Sequence, residues 1–266
     1  MKLDPGPFLG LGLSFFAILF GNVLEGGHLH ALIGGPAAMI VLGGTCGAVM
    51  VQYPLATLAD AMRAAAGSFK KPHHDAGKLI DEIVDYANRA RRDGILALER
   101  VAASASDPFL AKALTLAIDG VDSATLRDTM EVAIGQAEER GEDGAKAFEA
   151  AGGYCPTVGI IGAVLGLIHV MSNLSDINAV GAGIAAAFVA TIYGVLFANV
   201  IFLPIAGRIK LRVREEATIK ELMLVGVLAI QEGMNPRLVR DRLAEFAHDA
   251  PKAKKEGAES TASAPA

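Results

Sequence analysis

The chain has 266 residues, a formal net charge of −5 and a mean hydropathy of +0.41. That hydropathy excludes an ordinary soluble domain, and with no basic stripe interleaved with aromatics, nothing favours nucleic acid as a partner. The two cysteines, Cys46 and Cys155, sit in or at the edge of apolar stretches and read as small hydrophobes, not as a disulfide or metal ligands.

A helix needs about 20 apolar residues to cross a hydrocarbon core of ~30 Å. Four windows meet or approach that length: 8–24, 32–51, 154–171 and 184–205. Only Lys2 precedes the first, and residues 22–26 lack a small-x-small cleavage pattern, so a span is expected there and not a cleaved leader. Lysine and arginine fall at Lys2, between the second and third windows (Arg63 through Lys146), and after Pro204, while the connections 25–31 and 172–183 carry none. The positive-inside rule therefore puts both termini and the long central stretch in the cytoplasm.

The predicted organisation is a first transmembrane hairpin (1–51), a helical cytoplasmic domain (52–153), a second hairpin (154–205), C-terminal cytoplasmic helices (206–250) and a tail (251–266). That tail, rich in Ala, Lys, Glu and Ser, cannot bury enough apolar surface to fold. Residues 68–75 read as a loop in which the adjacent His73 and His74 cannot share a helical face, and Asp75 reads as a helix cap. Leu79, Ile80, Ile83, Val84 and Ala87 then recur at helical spacing, and the pattern resumes after Gly94. Ser106-Asp107-Pro108 caps the next helix, Gly120 ends it, and Asp122/Ser123 open another that runs toward Gly153 and feeds the third span. After Pro204 comes an amphipathic helix (Ile209, Val213, Ile219, Leu222, Met223, Val225, Leu228), and Asn235-Pro236 opens a last one. No strand alternation is visible. The fold class is an all-α membrane protein with four transmembrane helices in two hairpins and a large helical cytoplasmic domain between spans 2 and 3.

Chemistry is concentrated in the second hairpin. Gly159, Gly162 and Gly166 leave one stripe of the third span nearly bare, and Gly181, Gly183, Ala190, Gly194 and Ala198 do the same in the fourth. Tight helix packing explains such stripes by itself. Pro156 is expected to start the third span and Pro204 to end the fourth, each deleting a backbone donor. Thr191 places a hydroxyl in mid-span, either facing protein or water or bonded back to the carbonyl four residues earlier. No Asp, Glu, Lys or Arg lies in 154–171 or 184–205, so an ion relay along this pair would need a charge lent by another polypeptide. His169 and Glu25 lie toward the outer side and read as interfacial.

Residues 152–171 (Gly-Gly-Tyr-Cys-Pro-Thr-Val-Gly-Ile-Ile-Gly-Ala-Val-Leu-Gly-Leu-Ile-His-Val-Met) resemble the third-span signature of MotA-type flagellar stator subunits, in the MotA/TolQ/ExbB superfamily. Residues 185–194 and 202–206 resemble the fourth span and its end, 23–27 and 40–48 the first hairpin, and 226–236 the helix after the membrane; the likeness is greatest to the MotC variant. The resemblance implies a non-enzymatic subunit of a bacterial inner-membrane proton channel. It implies a MotB-type partner that supplies the transmembrane aspartate, a homo-oligomer of five copies around two partners, and torque on the rotor protein FliG. Residue by residue, it implies that Thr191 faces the partner's aspartate and that Pro156 and Pro204 couple ion passage to movement. Ala163 and Ala190 stand where sodium-driven relatives carry hydroxyls, which favours H⁺ as the translocated ion. The segment 90–99 resembles the rotor-facing one, implying rotor contact by Arg91, Arg92 and Glu99. From the residues alone these charges are a solvated face with an Arg89–Asp93 pair, and Arg92 and Glu99 share a stripe only if their helix is continuous.

Two other functions fit the same bounds. An ExbB/TolQ-like energiser of an outer-membrane process would usually have three spans. A solute transporter would carry internal repeats or broken mid-membrane helices. There is no phosphate-cradling loop, metal-ligand cluster or nucleophile–histidine pair, so no enzyme is expected and no cofactor.

Overall fold

The computed structural model describes residues 4–70, 75–172 and 177–249; His73, His74 and the tail lie outside them. The elements in chain order are α1 (Pro5–Leu24), a 3₁₀ turn (Leu29–Leu32), α2 (Gly35–Ala38) and a π-helical turn (Met39–Gly43) that continues into α3 (Gly44–Gln52). Then come α4 (Leu55–Ser68), α5 (Ala76–Asp93), a 3₁₀ turn (Ile95–Leu98), α6 (Glu99–Ala102) and α7 (Pro108–Ile118). The chain ends with α8 (Ser123–Met171), α9 (Ile177–Leu196), a second π-helical turn (Phe197–Phe202), α10 (Leu203–Gln231) and α11 (Pro236–Asp249). Four helical stretches are long and apolar enough to cross a membrane: Pro5–Leu24, Leu29–Gln52, Ser123–Met171 and Val180–Gln231.

The two prolines do not break their helices. Pro156 lies inside the unbroken helix α8, which feeds the third span directly as the spacing predicts. Pro204 lies one residue into α10, and the helical path runs on through it. The physical reason is visible at the second π turn: the Leu203 N–H donates to the Ala198 carbonyl, five residues back, and this wider turn carries the helix past the proline's missing donor. A proline costs one hydrogen bond, and a helix bonded well on both sides absorbs that loss.

Packing sorts the chain into two compact units, Met1–His73 with Gly135–Arg214 and His74–Ile134 with Glu215–Ala266. This grouping follows other lines than the 52–153 and 206–250 segments: α4 packs with the spans, and the C-terminal helices pack with α5–α7. In the second unit the stripe of α5 is buried as its periodicity predicts, with Ile83 fully enclosed. Leu110 and Leu114 of α7, Leu126 and Met130 of α8, Leu222, Met223 and Val227 of α10, and Val239 and Leu243 of α11 complete one core. Each large aliphatic side chain buried there contributes about 1.5–3 kcal/mol, which explains why α10 and α11 are recruited to it. Asp75, Asp107 and Asp122 cap their helices as expected, accepting from Gly77, Phe109 and Thr125 respectively. Glu82 binds the loop before α7, accepting from Tyr86 Oη at 2.6 Å and from the Ser106 amide at 3.0 Å. Partial burial would raise its pKa, but the hydrogen bonds from Ser106 and Tyr86 outweigh that and hold it low.

In the first unit no residue of α1 is buried within the chain. The transmembrane core is small: Ala37, Val41, Cys155, Val189, Ala190 and Ala198. A second cluster joins α4, α8 and α10 through Ala65, Ala145 and Ile209.

Candidate functional site

The glycine stripe of α8 meets α9 at backbone distance. A methyl added to Gly159 would lie 3.0 Å from the Ala190 carbonyl oxygen and 3.1 Å from Gly194 Cα. One on Gly162 would lie 2.9 Å from Ala190 Cβ, one on Gly166 2.9 Å from Ala187 Cβ, and one on Gly183 would collide with a Val170 methyl. These pairs place the helices antiparallel in constant register. Span 2 closes on the same face: Ile40, in the first π turn, lies 3.4 Å from the methyl position of Gly162, and Gly44 presses on Val158. At the end of span 2, Tyr154 Oη donates to Gln52 Oε1 at 3.0 Å.

That register assigns each expected path residue a place. Ala190 is 2% exposed, its methyl spent on packing against Gly162. Thr191, the next residue on α9, is half-buried, and Ala163, the next on α8 after Gly162, is half-buried as well. Because each residue adds about 1.5 Å of rise, Ala163 and Thr191 stand at nearly the same level. The threonine hydroxyl makes no side-chain hydrogen bond among the described residues, unlike Thr157, which bonds back to the Tyr154 carbonyl, and Asn199, which bonds back to Val195. The back-bonded alternative for Thr191 is therefore not what the structure adopts. Pro156 packs on α9 as closely as the glycines do, its Cα 3.1 Å from the methyl position of Gly194. His169 is exposed near the end of α8, and Glu25 is the C-cap of α1. Cys46 is exposed and Cys155 buried, with no disulfide between them.

Two polar arrangements escape sequence reasoning. The first is a clasp at the start of α1: Asp4 caps that helix at the Gly6 amide, donates its own amide to the Phe69 carbonyl at 3.0 Å, and pairs its carboxylate with Arg208. Arg208 also donates to the Ser68 carbonyl at 2.8 Å, and Arg212 donates to the Lys70 carbonyl at 2.6 Å. The Arg208 hydrogen bond, with smaller help from the Gly6 amide, holds the Asp4 carboxyl below the usual range. The second is Tyr193, whose hydroxyl bridges Leu32 and Gly34 at the start of span 2. Arg208 lies 204 residues from Asp4 in sequence, so the clasp leaves no local signal.

In the second unit Arg91, Arg92 and Glu99 are all exposed. Gly94 separates the arginines from Glu99 with φ +85°, a backbone that L side chains rarely adopt, so α5 stops and no continuous stripe joins Arg92 to Glu99. Arg89 pairs with Asp85 at 2.8 Å, not with Asp93, which takes Arg92 at 3.2 Å. Leu96, between the charges, is 69% exposed. Among the described residues no His/Cys/Asp/Glu group could hold a metal ion.

Comparison with known proteins places this geometry. Residues 101–222 match the MotA/TolQ/ExbB proton channel family, and residues 8–93 match the N-terminal region of motility protein A. The chain is 34% identical to motility protein A of Bacillus subtilis (strain 168), covering 91% of this chain and 90% of that one. It is 32% identical to chemotaxis protein PomA of Vibrio alginolyticus, covering 94% and 98%. Among solved structures it superposes on C. jejuni MotAB with a TM-score of 0.89 at 30% identity, covering 95% of this chain and all of that one. The flagellar MotAB stator complex from Bacillus subtilis gives 0.85 at 34% identity, covering 91% and 96%. The chain therefore belongs to the MotA/TolQ/ExbB proton channel family, as a MotA-type subunit of the flagellar stator.

Proposed function

We propose that the chain works with a MotB-type subunit whose transmembrane carboxylate supplies the charge that spans 3 and 4 lack, and that H⁺ flow along this seam generates torque. The observation that carries this reading is the uncommitted, half-buried Thr191 hydroxyl in a wall that holds no carboxylate, lysine or arginine. Desolvation raises the pKa of a lent aspartate toward neutrality, so protonation and release cost little. Ala163 faces the same level with a methyl and adds no oxygen ligand, which suits a proton better than Na⁺; Ala190 stands behind it as a spacer. Two solved relatives are MotAB complexes, which supports the partner assignment.

The large exposed apolar side chains Ile160, Ile161, Val164, Leu165 and Phe188 call for cover by lipid, by the partner and by further copies; five copies is the proposed ring. Lysine and arginine placement supports an inner-membrane protein with both termini cytoplasmic. Arg91, Arg92 and Glu99, solvent-facing around the Gly94 break, are the proposed contacts with the rotor protein FliG. Pro156 and Pro204, flanked by close packing and a π turn, are the proposed coupling points.

Expressing the chain with its partner in a stator-deficient host tests the reading. Swimming should follow the proton-motive force at any external Na⁺, and Arg91→Glu or Glu99→Arg should impair swimming with membrane assembly intact. Dependence on Na⁺ at fixed pH overturns the choice of ion, and undiminished swimming of both charge-reversal variants overturns the rotor face.

A further inference from the structure

Between the 3₁₀ turn Leu29–Leu32 and α2 the backbone is extended, at Ile33 (φ −94°, ψ 105°) and Gly34 (φ −129°, ψ 98°). This break lies within the apolar stretch Leu29–Gln52. Non-helical backbone inside an apolar stretch is stable where protein supplies the hydrogen bonds that the helix does not. Tyr193 of α9 supplies them from one atom: its Oη donates to the Leu32 carbonyl at 2.7 Å and accepts from the Gly34 N–H at 3.1 Å. Phe197 packs edge-on against its ring at 6.0 Å. Gly34 is pressed against Val189, one turn earlier on α9, so closely that a methyl there would lie 3.2 Å from the valine side chain.

Tyr193 follows Thr191 by two residues, and at 3.6 residues per turn their side chains leave α9 about 200° apart. One side of the helix is thus fastened to the start of span 2 while the other presents the threonine. A roll of α9 that strains the tyrosine bridge turns the Thr191 hydroxyl through the same angle. We infer that Tyr193 is a positioning residue for the ion path, its two-way hydrogen bond fixing the rotation of α9 and so the direction of the Thr191 hydroxyl. The inference rests on the proposed role of Thr191. The bridge also explains why a polar ring is built into an otherwise apolar helix face: Phe in its place would keep the ring contacts and orphan both backbone groups.

The test uses the complete complex in tethered cells, with speed read per stator unit from stepwise motor restoration, so that a change in assembly is separated from a change in each unit. Tyr193→Phe, Thr191→Ser and the double variant are compared across external pH at constant membrane potential. If the hydroxyl bridge acts through Thr191, each single variant displaces the pH dependence of speed per unit, and the double variant is displaced no further than the larger single. Amide exchange at Gly34 in the purified complex should rise by about tenfold in Tyr193→Phe, the equivalent of one lost hydrogen bond. Tyr193→Phe with wild-type pH dependence per unit, or a double variant displaced by the sum of the singles, overturns the inference and leaves the proposed function standing. If the wild-type complex does not respond to the proton-motive force, the reading beneath it fails instead.

Discussion

Gly194→Ala should abolish swimming, whereas Gly153→Ala should leave it at the wild-type level. The added methyl at Gly194 would lie 2.7 Å from the Cys155 carbonyl oxygen and 3.1 Å from both Gly159 Cα and Pro156 Cα. All three are backbone atoms, so no side chain can rotate away, and the helices must separate. Overpacking of this kind costs about 1–3 kcal/mol in well-packed interiors. Here it also moves the helix pair on which Thr191 and Ala163 share a level. Gly153 has nothing within 4 Å of its methyl position, and there alanine even gains helix propensity. Melting of the purified complex in detergent should fall for Gly194→Ala and hold for Gly153→Ala. A Gly194→Ala strain that swims normally, with an unchanged melting temperature, would mean that this close approach is not essential.

The same contrast explains what could be read from the chain before its structure. Hydropathy marks four spans because membrane length and residue rise leave few alternatives, and the α5 stripe is legible because one buried face imposes its period. The small-residue stripe of 159–166 is legible too, yet which neighbour it meets is a tertiary fact. Ala190 and Thr191 differ by one position in sequence and by a whole face in space: one methyl is sealed against Gly162, the other side chain stays half open. The prolines make a related point. A rule about a missing N–H is local, while the five-residue bond from Leu203 to Ala198 that carries the helix past Pro204 is set by packing on both sides. Gly94 is the converse case. Its positive φ ends α5 where the spacing of Arg92 and Glu99 alone would allow a longer helix.

Arg208→Ala should cost the motor most of its function through a contact that lies outside the ion path. Its guanidinium ties three segments at one point: the cap of α1 through Asp4, the end of α4 through the Ser68 carbonyl, and α10 one turn beyond Pro204; the Asp4 amide on the Phe69 carbonyl is a smaller tie beside it. The carbonyls of residues 68–70 close a helix C-terminus, where partial negative charge favours a cation, and Arg212 adds a second donor at Lys70. Hydrogen bonds involving a charged group contribute about 1.5–3 kcal/mol, and with the Arg208 side chain 20% exposed the lower part of that range applies. Removing the guanidinium leaves Arg212 as the remaining side-chain tie from α10 to the end of α4 and loosens α10 next to the proline, so swimming should fall further than the melting temperature alone would suggest. Arg208→Lys keeps the charge but not two donors set in a fixed plane, and should fall between. The acid side follows from Asp4: its carboxyl pKa is lowered in the fold, so its contribution is complete above the ordinary aspartate value and disappears only as pH drops through the lowered one. Melting of the wild-type complex should therefore be insensitive to this group near neutrality and decline in acid, and Asp4→Asn should flatten that decline. An Arg208→Ala complex that melts and swims as wild type would show that the clasp holds nothing the motor needs.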